Sequence, residues 1–205
     1  MPKIAPDTKV NILIGALQLF MQKGYKDVSY QDLVKKTGLS KGAIYHYFAS
    51  KEELLVAVFE FLVEASKQTD KVEPQNLVTD KESFIKLFID IKVEQIISFK
   101  EMMGETSFKL NKLLFFFEAI NENEKLKQII ADISAQEKAF LEKGFVGIKN
   151  NHNLPEGKDP ALLAECLYWM LQGSEMMLFF VDGDNWEDVI VDLYVKTIND
   201  FFKVI

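Results

Sequence analysis

The chain's 205 residues are 48% hydrophobic and 27% charged, enough apolar mass for a buried core, so a marginal mini-protein is excluded. The formal charge of −7 is unevenly spread: residues 1–55 hold eight lysines against five acids, net +3, and the remainder 16 lysines against 26 acids, net −10, so only the N-terminal part suits a polyanionic partner. With no apolar run near the ~18 residues of a bilayer crossing, no secretion-signal stretch in MPKIAPDTKV and Cys166 as the single cysteine, the expected location is the cytoplasm.

The first helix is expected over Thr8 to Lys23, because Leu13, Ala16, Leu17 and Phe20 fall at i, i+3, i+4 and i+7 and share one face. Gly24 supplies its stop. Ser29 caps a second helix, and Asp32 three residues later reaches back to the cap amide as in a capping box, with Leu33 and Val34 inward. Thr37, Gly38 and Leu39 form a turn in which Gly38 permits a left-handed backbone and Leu39 plugs the angle between helices. Ser40 caps a short third helix; Ala43, Ile44 and Phe48 face a core and leave Lys41, Gly42, Tyr45 and His46 outside. Such a unit can put a helix into the major groove of DNA.

A second capping box, Ser50 to Glu53, opens a long helix through Leu54, Leu55, Val58, Phe59 and Leu62 to about Gln68, outrunning the small N-terminal unit. The polar stretch Thr69 to Thr79 reads as a loop. Segments with no period-2 alternation follow at about Asp80–Met102, Glu105–Ile120 and Glu122–Lys149. The polar NNHNLPEGKDP separates them from the apolar Ala161–Val181, and a last helix is expected over Asn185–Phe202. The fold class is all-α, with about nine helices: a three-helix helix-turn-helix domain at 1–52 and a larger helical domain at 53–205.

Within residues 9–55, the residues Ala16, Phe20, Gly24, Tyr25, Ser29, Asp32, Leu33, Gly38, Leu39, Ser40, Lys41, Gly42, Tyr45, Tyr47, Phe48, Lys51, Glu52, Glu53 and Leu54 form a dense pattern. It resembles the DNA-binding domain of TetR-family transcriptional regulators. The resemblance implies DNA contacts at Ser29 and Tyr30, where a helix N-terminus and a hydroxyl both favour phosphate. It implies Ser40 and Lys41 at the head of the recognition helix and Gly42 where that helix approaches the groove. Tyr45 would meet phosphate or a thymine methyl, His46 and Tyr47 the flanking backbone, and Lys51 a phosphate across the groove. Every cation here is Lys, a point charge, because the chain has no Arg. The resemblance further implies an effector-binding and dimerisation domain, a homodimer through the last two helices (roughly 160–181 and 185–203), and a palindromic double-stranded operator. A repressor released by a small apolar or amphipathic effector, acting at the nucleoid in the bacterial cytosol, completes that expectation.

Outside the motif, Met102, Met103, Phe108, Phe115, Phe116, Trp169, Met170 and Met176 are candidates for an effector pocket, since Met adapts to varied ligand shapes. Bundle core and dimer interface compete for the same residues. Asp182, Asp184, Glu187 and Asp188 miss the EF-hand pattern and read as a solvated turn. His46 and His152 lack partners at ligand spacing, so no metal or cofactor is expected. No nucleophile elbow, phosphate loop or metalloprotease helix supports catalysis. Two other readings stay open: a helical dimer acting through protein partners as a co-activator or nucleoid-linked factor, and an apolar-ligand carrier or enzyme built on the C-terminal bundle.

Overall fold

The computed structural model describes residues 7–66, 72–104, 115, 118–121, 123–178 and 186–205. Among these no residue lies in a strand, and the chain is all-α. No helix among the described residues is long and apolar enough to cross a membrane. The chain divides into two compact units, Met1–Ser66 with Phe99–Ile130 and Lys67–Ser98 with Ala131–Ile205.

In the first unit, α1 (Thr8–Lys23) starts at Asp7, whose side chain accepts from Lys9 N–H at 3.1 Å. It ends at Gly24, whose φ of +82° favours glycine. α2 (Tyr30–Thr37) opens on the expected capping box of Ser29 and Asp32 and stops at Gly38 in the left-handed conformation, φ +71°. α3 (Lys41–Tyr47) is capped by Ser40, whose side chain accepts from Ala43 N–H at 3.1 Å. α4 (Lys51–Ser66) starts with Ser50 Oγ accepting from Glu53 N–H, while Glu53 Oε2 accepts from Ala49 N–H rather than from the cap residue itself.

The core of this unit joins Ile12, Ala16, Leu17 and Phe20 of α1 to Leu33, Ile44 and Phe48 of the helix-turn-helix and to Leu54, Leu55, Val58 and Phe59 of α4. Residues from far along the chain complete it. Met103, Phe115, Ala119 and Leu126 are buried in the same cluster. The Phe115 ring sits 5.7 Å from Phe20 and 5.4 Å from Phe59, centroid to centroid. Burying a side chain of this size stabilises by roughly 1.5–3 kcal/mol, so this late segment is an integral part of the first unit's stability.

The second unit contains α5 (Pro74–Leu77), most of α6 (Lys81–Met103) and most of α8 (Glu124–Asn150). It also contains α9 (Pro160–Leu178) and α10 (Trp186–Val204). A helical stretch at residues 118–121 (α7) belongs to the first unit, as do residues 99–103 of α6 and 124–130 of α8. The expected loop at 69–79 holds one helical turn, α5, because Pro74 occupies its first position, where a missing N–H costs nothing. Phe84, Phe88, Leu141, Phe145, Leu167, Tyr194 and Ile198 form the centre of its core. α8 approaches the α5 turn so closely that a Cβ on Gly147 would lie 2.3 Å from the Val78 carbonyl oxygen. The segment expected as a helix at 105–120 falls largely outside the described residues, as do Asp182 and Asp184 of the acidic cluster.

Candidate nucleic-acid interface

The turn between α2 and α3 is fixed by its own side chains. Thr37 Oγ1 donates to the Leu33 carbonyl at 2.7 Å and accepts from Leu39 N–H at 3.3 Å. Beyond it, Ile44 and Phe48 are buried, and this anchors one side of α3. The other side is open: Ser40, Lys41, Gly42, Tyr45, His46 and Tyr47 are all exposed. Six of the expected contact residues are therefore open to solvent.

Within that surface the aromatic rings are ordered by stacking. Tyr45 of α3 lies parallel on Tyr30 of α2, centroids 4.4 Å apart and planes 17° apart, yet keeps 40% of its surface exposed. The Lys41 ammonium sits 5.6 Å from the Tyr45 ring and 5.9 Å from Tyr30, a cation–π arrangement that holds the charge at the head of the helix. His46 meets Tyr47 edge to face at 5.5 Å. The Tyr30 hydroxyl is buried, and burial first, then the neighbouring Tyr45, pushes its pKa up to about 12, so it remains a protonated donor. It lies beneath the surface rather than on it, so its expected reach to a phosphate requires the ring to move. Ser29 is exposed, but its hydroxyl donates to Asp32 Oδ2 at 2.6 Å and accepts from Asp32 N–H. Lys23 hydrogen-bonds the same carboxylate at 2.6 Å, and that bond, with those from Ser29, holds Asp32 well below the usual carboxylate range.

Lys51 is engaged within the protein. It was expected to neutralise a phosphate, but its ammonium donates to the carbonyls of Tyr25 at 3.0 Å, Lys26 at 3.1 Å and Val28 at 3.2 Å. An ammonium has three donors, and all three are occupied. It also lies 4.5 Å from the Tyr25 ring centroid. On the opposite side, Tyr25 N–H donates to Glu118 Oε2 at 2.9 Å. Sequence reasoning missed this loop anchor; the available signal was an acid, Glu118, directly after the run Leu113–Phe117.

The described residues among the eight expected around an effector fall in both units. Met103 and Phe115 are buried in the first unit's core, and Met102 is half-buried. Trp169, Met170 and Met176 are exposed on α9 in the second unit. Phe108 and Phe116 fall outside the described residues. The second unit instead has a polar cluster that the sequence did not disclose. Lys92 donates to Glu137 Oε1 at 2.9 Å and approaches Glu175 at 4.0 Å, Tyr194 OH donates to Glu175, and Tyr168 OH donates to Ser134 Oγ at 2.9 Å. No group of three or more His, Cys, Asp or Glu residues among the described residues is arranged to hold a metal ion.

Comparison with known proteins places this geometry. The family described as bacterial regulatory proteins, tetR family, matches residues 12–58. The nucleoid occlusion factor SlmA of Haemophilus ducreyi is 31% identical over 175 residues, covering 82% of this chain and 78% of that protein. The HTH-type transcriptional regulator YuxN of Bacillus subtilis is 48% identical over 50 residues, which span 24% of this chain but only 17% of YuxN. The HTH-type transcriptional repressor NemR of Escherichia coli is 22% identical over 192 residues, 83% of each chain. The crystal structure of reduced NemR superposes over 95% of each chain with a TM-score of 0.64 at 17% identity. The motif, the geometry around it and the long match to SlmA agree: the chain belongs to the TetR family of helix-turn-helix transcriptional regulators.

Proposed function

We propose that the chain is a homodimeric, effector-responsive repressor that reads a two-fold symmetric DNA operator through α3 of each protomer. The observation that carries this reading is the open face of α3, where Ser40, Lys41, Tyr45, His46 and Tyr47 stand exposed while Ile44 and Phe48 anchor the helix from behind. Gly42 supports it. A Cβ there would meet nothing nearer than Ser40 Oγ at 4.0 Å, so the fold has no need of a glycine that costs a helix about 1 kcal/mol. Close approach to a duplex gives that glycine a reason.

Two recognition helices engage successive major grooves only when a dimer sets their spacing, one turn of ~34–36 Å or a multiple. We assign dimerisation to α9 and α10, because Leu162, Cys166, Trp169, Gly173 and Met176 follow a seven-residue repeat along α9 and are all exposed. A small apolar or amphipathic effector, taken up by the helical remainder of the chain, releases the operator by favouring an arrangement with the wrong spacing. The loss of affinity is bounded by the effector's differential affinity for the two arrangements. The site of action in this reading is the cytosol, at the nucleoid.

The experiment is selection of DNA fragments by the purified protein, followed by gel shifts with Tyr45→Ala and Lys41→Met. A palindromic consensus, bound at least about tenfold more weakly by each variant, is the expected result. Unchanged binding by both variants refutes the contact assignment. The long match to a protein named a nucleoid occlusion factor favours one second reading, a DNA-bound dimer that acts through protein partners. Recovery of fragments with no shared sequence supports that alternative and counts against the repressor.

A further inference from the structure

We propose that Glu118 is a positioning residue of the DNA-binding surface, acting on the loop between α1 and α2 from a segment that follows the helix-turn-helix by some seventy residues. The proposal rests on the regulator reading above. Tyr25 is held through both its N–H and its carbonyl. Glu118 Oε2 accepts from Tyr25 N–H at 2.9 Å, and the Lys51 ammonium takes the carbonyls of Tyr25, Lys26 and Val28. The ring of Tyr25 is fixed as well, edge-on to Phe20 at 5.4 Å and beneath the Lys51 ammonium. Gly24 leaves room for this clamp: a Cβ there would stand 3.2 Å from Glu118 Oε2.

What the clamp holds is the start of α2. Val28, whose carbonyl Lys51 grips, is followed directly by the cap residue Ser29 and by Tyr30, and Tyr30 is the ring on which Tyr45 of the recognition helix stacks. A chain of contacts therefore runs from Glu118 through the 25–28 peptides to the α2 cap, and from Tyr30 to Tyr45 and Lys41. Glu118 reaches the loop from the late segment. Other tethers, Gln18 Nε2 to the Met102 carbonyl at 2.6 Å, Asn123 Nδ2 to Glu52 Oε1 at 2.7 Å and Lys125 Nζ to Glu60 Oε1 at 2.7 Å, hold α1 and α4 instead. A shift of residues 118–121 withdraws the acceptor from Tyr25 and loosens one half of the clamp on the α2 start, whereas the same shift at Met102 or Asn123 does not.

The test uses the full chain and the operator recovered by selection, with Glu118→Ala, Glu118→Gln and, as a control on a neighbouring tether, Asn123→Ala. Backbone amide exchange is followed in parallel by mass spectrometry. Glu118→Ala is expected to bind the operator at least about tenfold more weakly, as loss of a charge-assisted hydrogen bond predicts. Its salt dependence stays that of the wild type, because no phosphate contact is lost. Exchange rises in the peptide covering residues 24–30 and not in α9 or α10. Glu118→Gln, which keeps an acceptor oxygen, restores most of the affinity and protection, and Asn123→Ala leaves both at wild-type levels. Wild-type affinity in Glu118→Ala, equal impairment of Glu118→Ala and Glu118→Gln, or a reduced salt slope overturns the proposal. If Glu118→Ala does not fold, Glu118→Gln with unprotected 24–30 amides and weak binding also overturns it. A wild-type protein without any preferred DNA sequence refutes the regulator reading on which the proposal rests; the exchange comparison then still decides whether Glu118 clamps the loop, so the two failures are told apart.

Discussion

Lys41 and Lys51 are both lysines at the N-terminal end of a helix, directly after a serine cap. Their surroundings separate them. Lys41 is exposed above two stacked tyrosines, while Lys51 spends its three donors on carbonyls of the loop between α1 and α2. The two residues should therefore fail differently. Lys41→Met is expected to lower the slope of log affinity against log salt by about 0.9 per protomer while leaving stability within about 0.5 kcal/mol. Lys51→Met is expected to keep that slope and to lose roughly 2 kcal/mol of stability, because three carbonyls, two of them part-buried, lose their donor. Salt-titrated binding isotherms and denaturant unfolding check both; a lower slope for Lys51→Met would restore its phosphate role. Ser40, Gly42 and Tyr45 could be read as surface residues from the helical period alone, since burial of Ile44 and Phe48 puts them opposite the core.

At the scale of elements, helix ends were legible and helix partners were not. Ser29, Ser40 and Ser50 cap the helices that their positions predict, because a cap needs only an oxygen within three residues. The polar cluster of the second unit is the opposite case. Lys92 of α6, Glu137 of α8, Glu175 of α9 and Tyr194 of α10 meet only when four helices pack. Burial works against the Lys92 charge, yet Glu137 and Glu175 outweigh it and hold its pKa above the ordinary lysine value. Burial and the Glu175 charge raise Tyr194 far above the usual range, so its hydroxyl stays a donor. A raised folded-state pKa stabilises fully below the unfolded lysine value of about 10.4 and is lost as pH climbs through the folded one. Lys92→Met is expected to cost about 2 kcal/mol near neutral pH, at the low end for a broken buried pair because both carboxylates are about a third exposed. The difference from wild type should shrink above pH ~10. Urea unfolding across that range measures it, and a variant as stable as wild type at pH 7 would show that the cluster contributes nothing net.

For the molecule as a whole, the decisive question is what covers α9. Leu162 and Trp169 are each 61% exposed, one side of a stripe too apolar to be left to water without a reason. In the proposed dimer both lie at the subunit contact. Leu162→Glu with Trp169→Glu is expected to convert the dimer to a folded monomer and to weaken operator binding by about a hundredfold or more, since each recognition helix then binds without its partner's effective concentration. Sedimentation and gel shift measure the two effects together. A double variant that remains dimeric moves the interface elsewhere.

The helices, their caps and the exposed face of the recognition helix were determined by the sequence itself, because each depends on residues within a turn or two of one another. The all-α class and the family pattern in residues 9–55 follow from the same local rules. Only the tertiary structure decided that Lys51 serves the loop, that Lys92 closes a four-helix cluster, and that residues 99–130 belong with the DNA-binding helices. The physical reason is separation along the chain: Tyr25 and Glu118 are 93 residues apart and Lys92 and Glu137 are 45 apart. No periodicity or spacing specifies which distant carboxylate completes a buried donor; the packing of whole helices does.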